Sequence, residues 1–285
     1  MGIIYADTMG FCAGVRRAVS ILEEELATGD GSKLSTYGPL IHNPHLIADF
    51  ESRGVRVAGS PAEVARGERV VIRAHGIPKA VRMELEKRGA RLIDATCPKV
   101  MLSMRKARSA EDEGRQVLLV GDAGHGEMEA VAGYLERPEA SRVIATVAEA
   151  EAVELEKRVC LIAQTTFDTE EYLRIAEVIR RRAADCRVES SICPATSGRQ
   201  EAVRSLAKRV DGILIIGGRN SANTRRLYEI ASASGVPAWQ VEGPHEVPAE
   251  IGRIRTVGIS AGASTPDETV RRTAEVVEKL QRESL

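Results

Sequence analysis

Five cysteines, at positions 12, 97, 160, 186 and 193, are the residues whose placement first suggests chemistry. Cys12, Cys97 and Cys193 fall roughly ninety residues apart and sit in related texts: Gly-Phe-Cys-Ala-Gly-Val-Arg-Arg, Asp-Ala-Thr-Cys-Pro-Lys-Val and Ser-Ile-Cys-Pro-Ala-Thr-Ser-Gly-Arg. Each ends a β-like or loop segment, is followed by Ala or Pro, and opens a helical pattern carrying Lys or Arg. Proline suits the first helical position, where its missing N–H would have had no partner. A sulfur at a helix N-terminus meets positive potential, which favours thiolate. The other two differ. Cys160, in Val-Cys-Leu-Ile-Ala, reads as part of a buried strand, where a thiol behaves as a small hydrophobe. Cys186 lies in a polar stretch with no helix start behind it.

Three distant thiolates restrict the metal chemistry without fixing it. Zinc takes four ligands in structural sites, or three plus water in catalytic ones. Iron–sulfur clusters usually take four cysteines, often in tight runs, and no Cys-x-x-Cys occurs here. Three thiolates can also hold three irons of a four-iron cluster, leaving the fourth open as a Lewis acid while the cluster delivers electrons. On spacing alone, zinc and iron–sulfur both stay open. So does a zinc or cysteine hydrolase using Cys97 or Cys193 with a nearby histidine, and so does a redox-sensing binding protein.

The histidines add a second theme. His42, His75 and His125 each come directly after a strand-like run, and the carboxyl ends of parallel strands are where ligands bind. His45 and His245 lack that setting and read as surface or loop residues. Polar loops follow strands in the second half: Gln164-Thr165-Thr166, Asn220-Ser221-Ala222-Asn223 and Ala261-Gly262-Ala263-Ser264-Thr265-Pro266. Singly these are ordinary helix caps. Together, helix starts offering amides and hydroxyls make anion sites suited to phosphate. Neither a Walker A loop nor Gly-x-Gly-x-x-Gly is present, so the usual nucleotide sites are unsupported.

The elements that must position these residues alternate along the chain. The clearest strands are 3–6, 70–73, 117–121, 158–163, 212–217 and 256–260. Helical patterns cover 15–27, 79–88, 99–113, 169–183, 199–208 and 267–281. Apolar strands alternating with helices predict an α/β fold with parallel sheets. The cysteine spacing divides it into three similar lobes around one centre, over 14–97, 98–193 and 194–285, with an N-terminal strand in 1–13 joining the third. At 285 residues the chain equals about two average domains and can bury a sizeable core.

Composition excludes several classes. A net charge of −1 provides no bulk field for nucleic acid or an anionic membrane, and 3% aromatic residues are too few for a base-stacking platform. An odd, widely spaced cysteine count does not form a secreted disulfide framework. No apolar run approaches the roughly 18 residues of a membrane span, and charge at Asp7 argues against a secretory leader. A cytoplasmic, soluble protein with reduced thiols is expected.

Several segments, taken in order, resemble the 4-hydroxy-3-methylbut-2-enyl diphosphate reductase family, which carries out the last step of the non-mevalonate isoprenoid pathway. They are Gly10-Phe-Cys-Ala-Gly-Val15, Ile41-His-Asn43, Arg73-Ala-His-Gly76, Asp94-Ala-Thr-Cys-Pro98, His125-Gly-Glu127, Gln164-Thr-Thr166, Arg199-Gln-Glu-Ala202, Asn220-Ser-Ala-Asn223 and Ala261-Gly-Ala-Ser264. The resemblance spans essentially the whole chain. It implies a cloverleaf of three α/β lobes with pseudo-threefold symmetry around one 4Fe–4S cluster held by Cys12, Cys97 and Cys193, with one iron open. It implies that His42, His75, His125, Ser221, Asn223 and Ser264 grip a diphosphate, that Glu127 supplies a proton, and that Thr165 positions the substrate hydroxyl. It also implies a ferredoxin or flavodoxin as electron donor. Two positions depart from the family pattern. Ala222 replaces a common second Ser and offers only its backbone N–H. Gly126 replaces a common Pro, which would loosen the loop carrying His125 and Glu127.

Overall fold

The computed structural model describes residues 1–29 and 31–284. It is an α/β fold built on three parallel four-stranded sheets, as the alternating pattern predicts. The chain opens with β1 (Gly2–Tyr5) and α1 (Ala13–Thr28). The next sheet comprises β2 (Leu34–Tyr37), β3 (Arg56–Ala58), β4 (Arg69–Ile72) and β5 (Arg91–Asp94), with α2 (Pro44–Ser52) and α3 (Lys79–Lys87) in its connections. After α4 (Pro98–Asp112) come β6 (Gln116–Val120), β7 (Arg142–Ile144), β8 (Arg158–Ala163) and β9 (Asp185–Val188), with α5 (Gly126–Ala132), α6 (Val147–Ala152) and α7 (Thr169–Arg182). The final stretch holds α8 (Pro194–Ala207), β10 (Gly212–Ile216), α9 (Ala222–Ser232), β11 (Ala238–Val241), β12 (Thr256–Ala261) and α10 (Asp267–Glu283).

One topology recurs in all three sheets. The orders are β3-β2-β4-β5, β7-β6-β8-β9 and β11-β10-β12-β1. In each sheet the first strand of the repeat lies between the second and third, and a fourth lies outside the third. In the last sheet β1 fills that fourth place, Gly2 pairing with Thr256 and Tyr5 with Ile259.

The chain forms two compact units. The larger, Gly14–Ile41 with His45–Cys193, contains the two sheets β2–β5 and β6–β9. Helices cover both faces of their middle strands, so Val70–Ile72 and Val117–Val120 are buried throughout. That two-sided burial is why the strands read as unbroken apolar runs. The smaller unit, Met1–Ala13, His42–Pro44 and the stretch from Pro194 onward, contains the third sheet. Apolar layers pack on its two faces, one around Leu214, Ile216 and Val277, the other around Ile213, Ile215 and Leu227. Among the described residues, no helix is long and apolar enough to cross a membrane.

Candidate active site

The repeat places the three cysteines at one structural position. Cys12 lies between β1 and α1, Cys97 between β5 and α4, and Cys193 between β9 and α8. In every case the cysteine N–H donates to the carbonyl of the residue two beyond the end of the neighbouring third strand. The acceptors are Ala263 for Cys12 (3.1 Å), Ala74 for Cys97 (2.9 Å) and Thr165 for Cys193 (3.0 Å). All three thiols are partly exposed and none is in a disulfide. Pro98 and Pro194 stand at the first helical positions, where proline is favoured. Cys160, by contrast, is fully buried in β8, and burial pushes its thiol up. Cys186 belongs to the half-buried β9, and burial shifts it the same way.

The same register sets out the polar residues. The paired ends of first and third strands are Tyr37 with Ile72, Val120 with Ala163, and Ile216 with Ala261. Five residues beyond the first strand stand His42, His125 and Ser221. Seven beyond it stand Pro44, Glu127 and Asn223. Three beyond the third strand stand His75, Thr166 and Ser264.

Within the larger unit are Cys97, Cys193, His75, His125, Glu127 and Thr165. The His75 and His125 rings meet edge to face at 5.1 Å. His125 caps α5, its Nδ1 accepting the Glu127 N–H at 3.1 Å. Glu127 is 1% exposed, and both its oxygens are occupied by one residue. The Thr165 N–H donates to Oε1 and the Thr165 hydroxyl donates to Oε2, each at 2.7 Å. Burial dominates the electrostatics and raises the carboxyl pKa to about 7, against the lowering effect of those two hydrogen bonds. The buried Gln164 ties this loop to the His125 loop, its Oε1 accepting the Asp122 N–H at 2.9 Å.

Gly126 follows the capping His125 in this turn. Its missing side chain makes room for a guanidinium: a Cβ at Gly126 would lie 2.7 Å from Arg73 Cζ. The Arg73 Nε in turn donates to the Gly76 carbonyl at 3.2 Å.

Within the smaller unit are Cys12, His42, Ser221, Ala222, Asn223 and Ser264. The Ser264 hydroxyl donates to the His42 carbonyl at 3.0 Å, and the Asn43 amide donates to the Ser264 carbonyl at 2.7 Å. Ser221 caps α9, its hydroxyl accepting the Thr224 N–H at 3.3 Å. Ala222 is the buried first residue of that helix. Asn223 is 3% exposed, and neither its Nδ2 nor its Oδ1 has a protein partner. A buried amide left unpaired costs about 1–3 kcal/mol per group.

Three further residues stand within the family-like segments and act on the loops around the site. Asn43 fixes Ser264. Buried Arg199 donates to the Gly10 carbonyl at 2.6 Å and so holds the loop before Cys12. Arg73 packs against the Gly126 turn. A fourth, Arg17, donates to the Thr96 and Asp94 carbonyls at 3.1 Å each and braces the turn before Cys97. It closes the Cys12 text itself, and the Arg pair there is the signal available for it.

The family model described as LytB protein matches residues 3–281. The chain belongs to the LytB protein family. Relatives named 4-hydroxy-3-methylbut-2-enyl diphosphate reductase include one from Treponema denticola, 42% identical over 92% of this chain and 94% of the relative. Another, from Anaeromyxobacter sp., is 40% identical over 96% and 98%. A solved structure of (E)-4-hydroxy-3-methyl-but-2-enyl diphosphate reductase, described as the terminal enzyme of the non-mevalonate pathway, is 38% identical and covers 98% of this chain and 99% of its own. Its TM-score is 0.71. The reductase structure from Plasmodium falciparum shares the LytB fold with a TM-score of 0.91, at 22% identity over 96% of this chain and 87% of that one.

Proposed function

We propose that the chain reduces (E)-4-hydroxy-3-methylbut-2-enyl diphosphate to isopentenyl and dimethylallyl diphosphate, the last step of the non-mevalonate isoprenoid pathway. The observation that carries this reading is the cysteine position repeated three times, each sulfur residue pinned by its N–H beside a helix start. Three partly exposed thiols with no disulfide among them are a donor set that fits an iron–sulfur cluster. Cys12, Cys97 and Cys193 would hold one 4Fe–4S cluster and leave one iron open. When bound, it would relay two electrons from the donor, one at a time, and supply a Lewis-acidic iron.

The remaining work falls to side chains. His42, His75 and His125, the Ser221 and Ser264 hydroxyls, the Asn223 amide and the Ala222 N–H hold the diphosphate. Histidines and helix-start groups meet its charge locally, which suits a chain of net charge −1. Thr165 positions the substrate hydroxyl beside Glu127. Hydroxide is a poor leaving group, so Glu127, whose burial lets it keep its proton up to about pH 7, gives a proton and the oxygen departs as water. One C–O bond breaks and one C–H bond forms, consuming two electrons and two protons. Protonation at either end of the allylic unit gives either product.

The three lobes are taken as 14–97, 98–193 and 194–285 with the N-terminal strand added to the third, a division supported by the repeated strand order. A ferredoxin or flavodoxin is the electron donor, and the setting is cytoplasmic. Anaerobic turnover of the allylic diphosphate with a reduced viologen dye tests the reading. Brown protein yielding both five-carbon products is expected, whereas colourless protein or an inert brown one would overturn it.

A further inference from the structure

The larger unit contains a cavity of about 480 Å³ to which none of the roles above belongs. That size lies within the range of small-molecule sites. Ile77, Met101 and Met104 form an apolar wall, and unbranched methionines adapt to flexible hydrocarbon. The polar side comes from one face of α4, where Arg105, Arg108 and Ser109 fall within about a turn of each other. Most of the lining charge is already neutralised, Arg82 being paired with Asp94 and Arg108 with Asp112. Arg105 is exposed and, among the described residues, has no hydrogen-bond or ion-pair partner. The cavity therefore offers an apolar body and one uncommitted guanidinium, while the Ser109 hydroxyl beside it donates to Glu113 at 3.4 Å, a combination that selects an amphiphile with a compact anionic head.

The wall of this cavity is also the back of the proposed active site. Met104 packs so closely on Gly76 that a Cβ there would lie 2.6 Å from its Cε, and Gly76, with φ of 75°, follows His75 directly. Thr96, another lining residue, directly precedes Cys97. An occupant pressing on Met104 and Thr96 thus acts on a diphosphate ligand and a cysteine turn together.

We infer that this cavity is a regulatory site for an acyclic prenyl diphosphate longer than five carbons, a compound class made by condensation of the enzyme's own products. The regulatory role rests on the reaction proposed above; binding at the cavity does not. Geranyl diphosphate is the probe, titrated by calorimetry into the iron–sulfur-loaded protein without reductant and with saturating five-carbon substrate. One site per chain is expected, with neither inorganic diphosphate nor dimethylallyl diphosphate filling it. Arg105→Glu and Ser109→Asp, both at exposed positions, should each weaken binding about tenfold or more. Both should leave viologen-driven turnover intact, and geranyl diphosphate should lower kcat without raising KM in the parent protein alone. Absence of saturable heat, displacement by the five-carbon substrate, or equal affinity in the variants would overturn the inference. Viologen-driven turnover of the same preparation, without the probe, judges the reaction separately.

Discussion

Thr165 holds Glu127 with two hydrogen bonds and accepts a third from Cys193. Its N–H and hydroxyl take one oxygen each of the carboxyl, and its carbonyl receives the Cys193 N–H. The proposed proton source and one proposed cluster ligand are therefore both held by a single residue. This fixes a group whose own helix, α5, is only two turns long.

Replacing the carboxyl tests its role directly. Glu127→Gln keeps the shape but has no transferable proton, so turnover should fall by about two to four orders of magnitude. Iron and sulfide content and substrate affinity should stay near the parent values. In the parent, kcat should decline as pH rises through about 7, where the carboxyl loses its proton. Near-normal turnover in the variant would remove Glu127 from the reaction.

Stability carries the same signature with a definite sign. Folding raises this carboxyl from 4.5 to about 7, so the folded chain binds more protons than the unfolded chain between those values. The protonated group's contribution is fully present below about 4.5 and is lost as pH rises through about 7, a change of about 3 kcal/mol. Anaerobic denaturant titrations at pH 5 and pH 8 should show this loss in the parent and much less of it in Glu127→Gln.

The cysteines divide three to two. Cys160→Ser, deep in β8, should retain the parent's iron and sulfide per chain after anaerobic purification. Cys193→Ser should lose most of both, as should Cys97→Ser. Equal cluster content in the Cys160 and Cys193 variants would contradict the division.

Gly126 offers a test of local packing. It is the first helical residue of α5, a position that accepts proline, yet a Cβ there meets the Arg73 guanidinium. Gly126→Pro should lower Tm by a few degrees, and adding Arg73→Ala should recover part of that loss. Purely additive effects in this double-mutant cycle would show that the two side chains do not compete for the space.

Much of the fold could be read from the sequence because the central strands are buried on both faces. Runs such as Val117–Val120 and Gly212–Ile216 have no polar residue to obscure them. The strands that escaped were of two kinds. Some are short edge strands, such as Arg56–Ala58 and Arg142–Ile144, which bury little. The other kind is β2, a middle strand whose Ser35 and Thr36 are buried although polar, so its text does not look like core. Among site residues, the cysteines and histidines were legible because their side chains carry the chemistry. Asn43, Arg17 and Arg199 were not singled out, because they act by holding the backbone carbonyls of loops that are distant in sequence.

The place of β1 has a consequence for how the protein is made. Among the described residues its sheet neighbour is β12, which lies beyond both other sheets in the chain, and the Cys12 N–H waits on Ala263 from the same distant stretch. During synthesis the first strand must therefore remain unpaired until almost the whole polypeptide has emerged, while the β2–β5 and β6–β9 sheets have all their strands much earlier. A ribosome-bound chain truncated before residue 256 should protect those two sheets from proteolysis and leave the N-terminal segment open to cleavage.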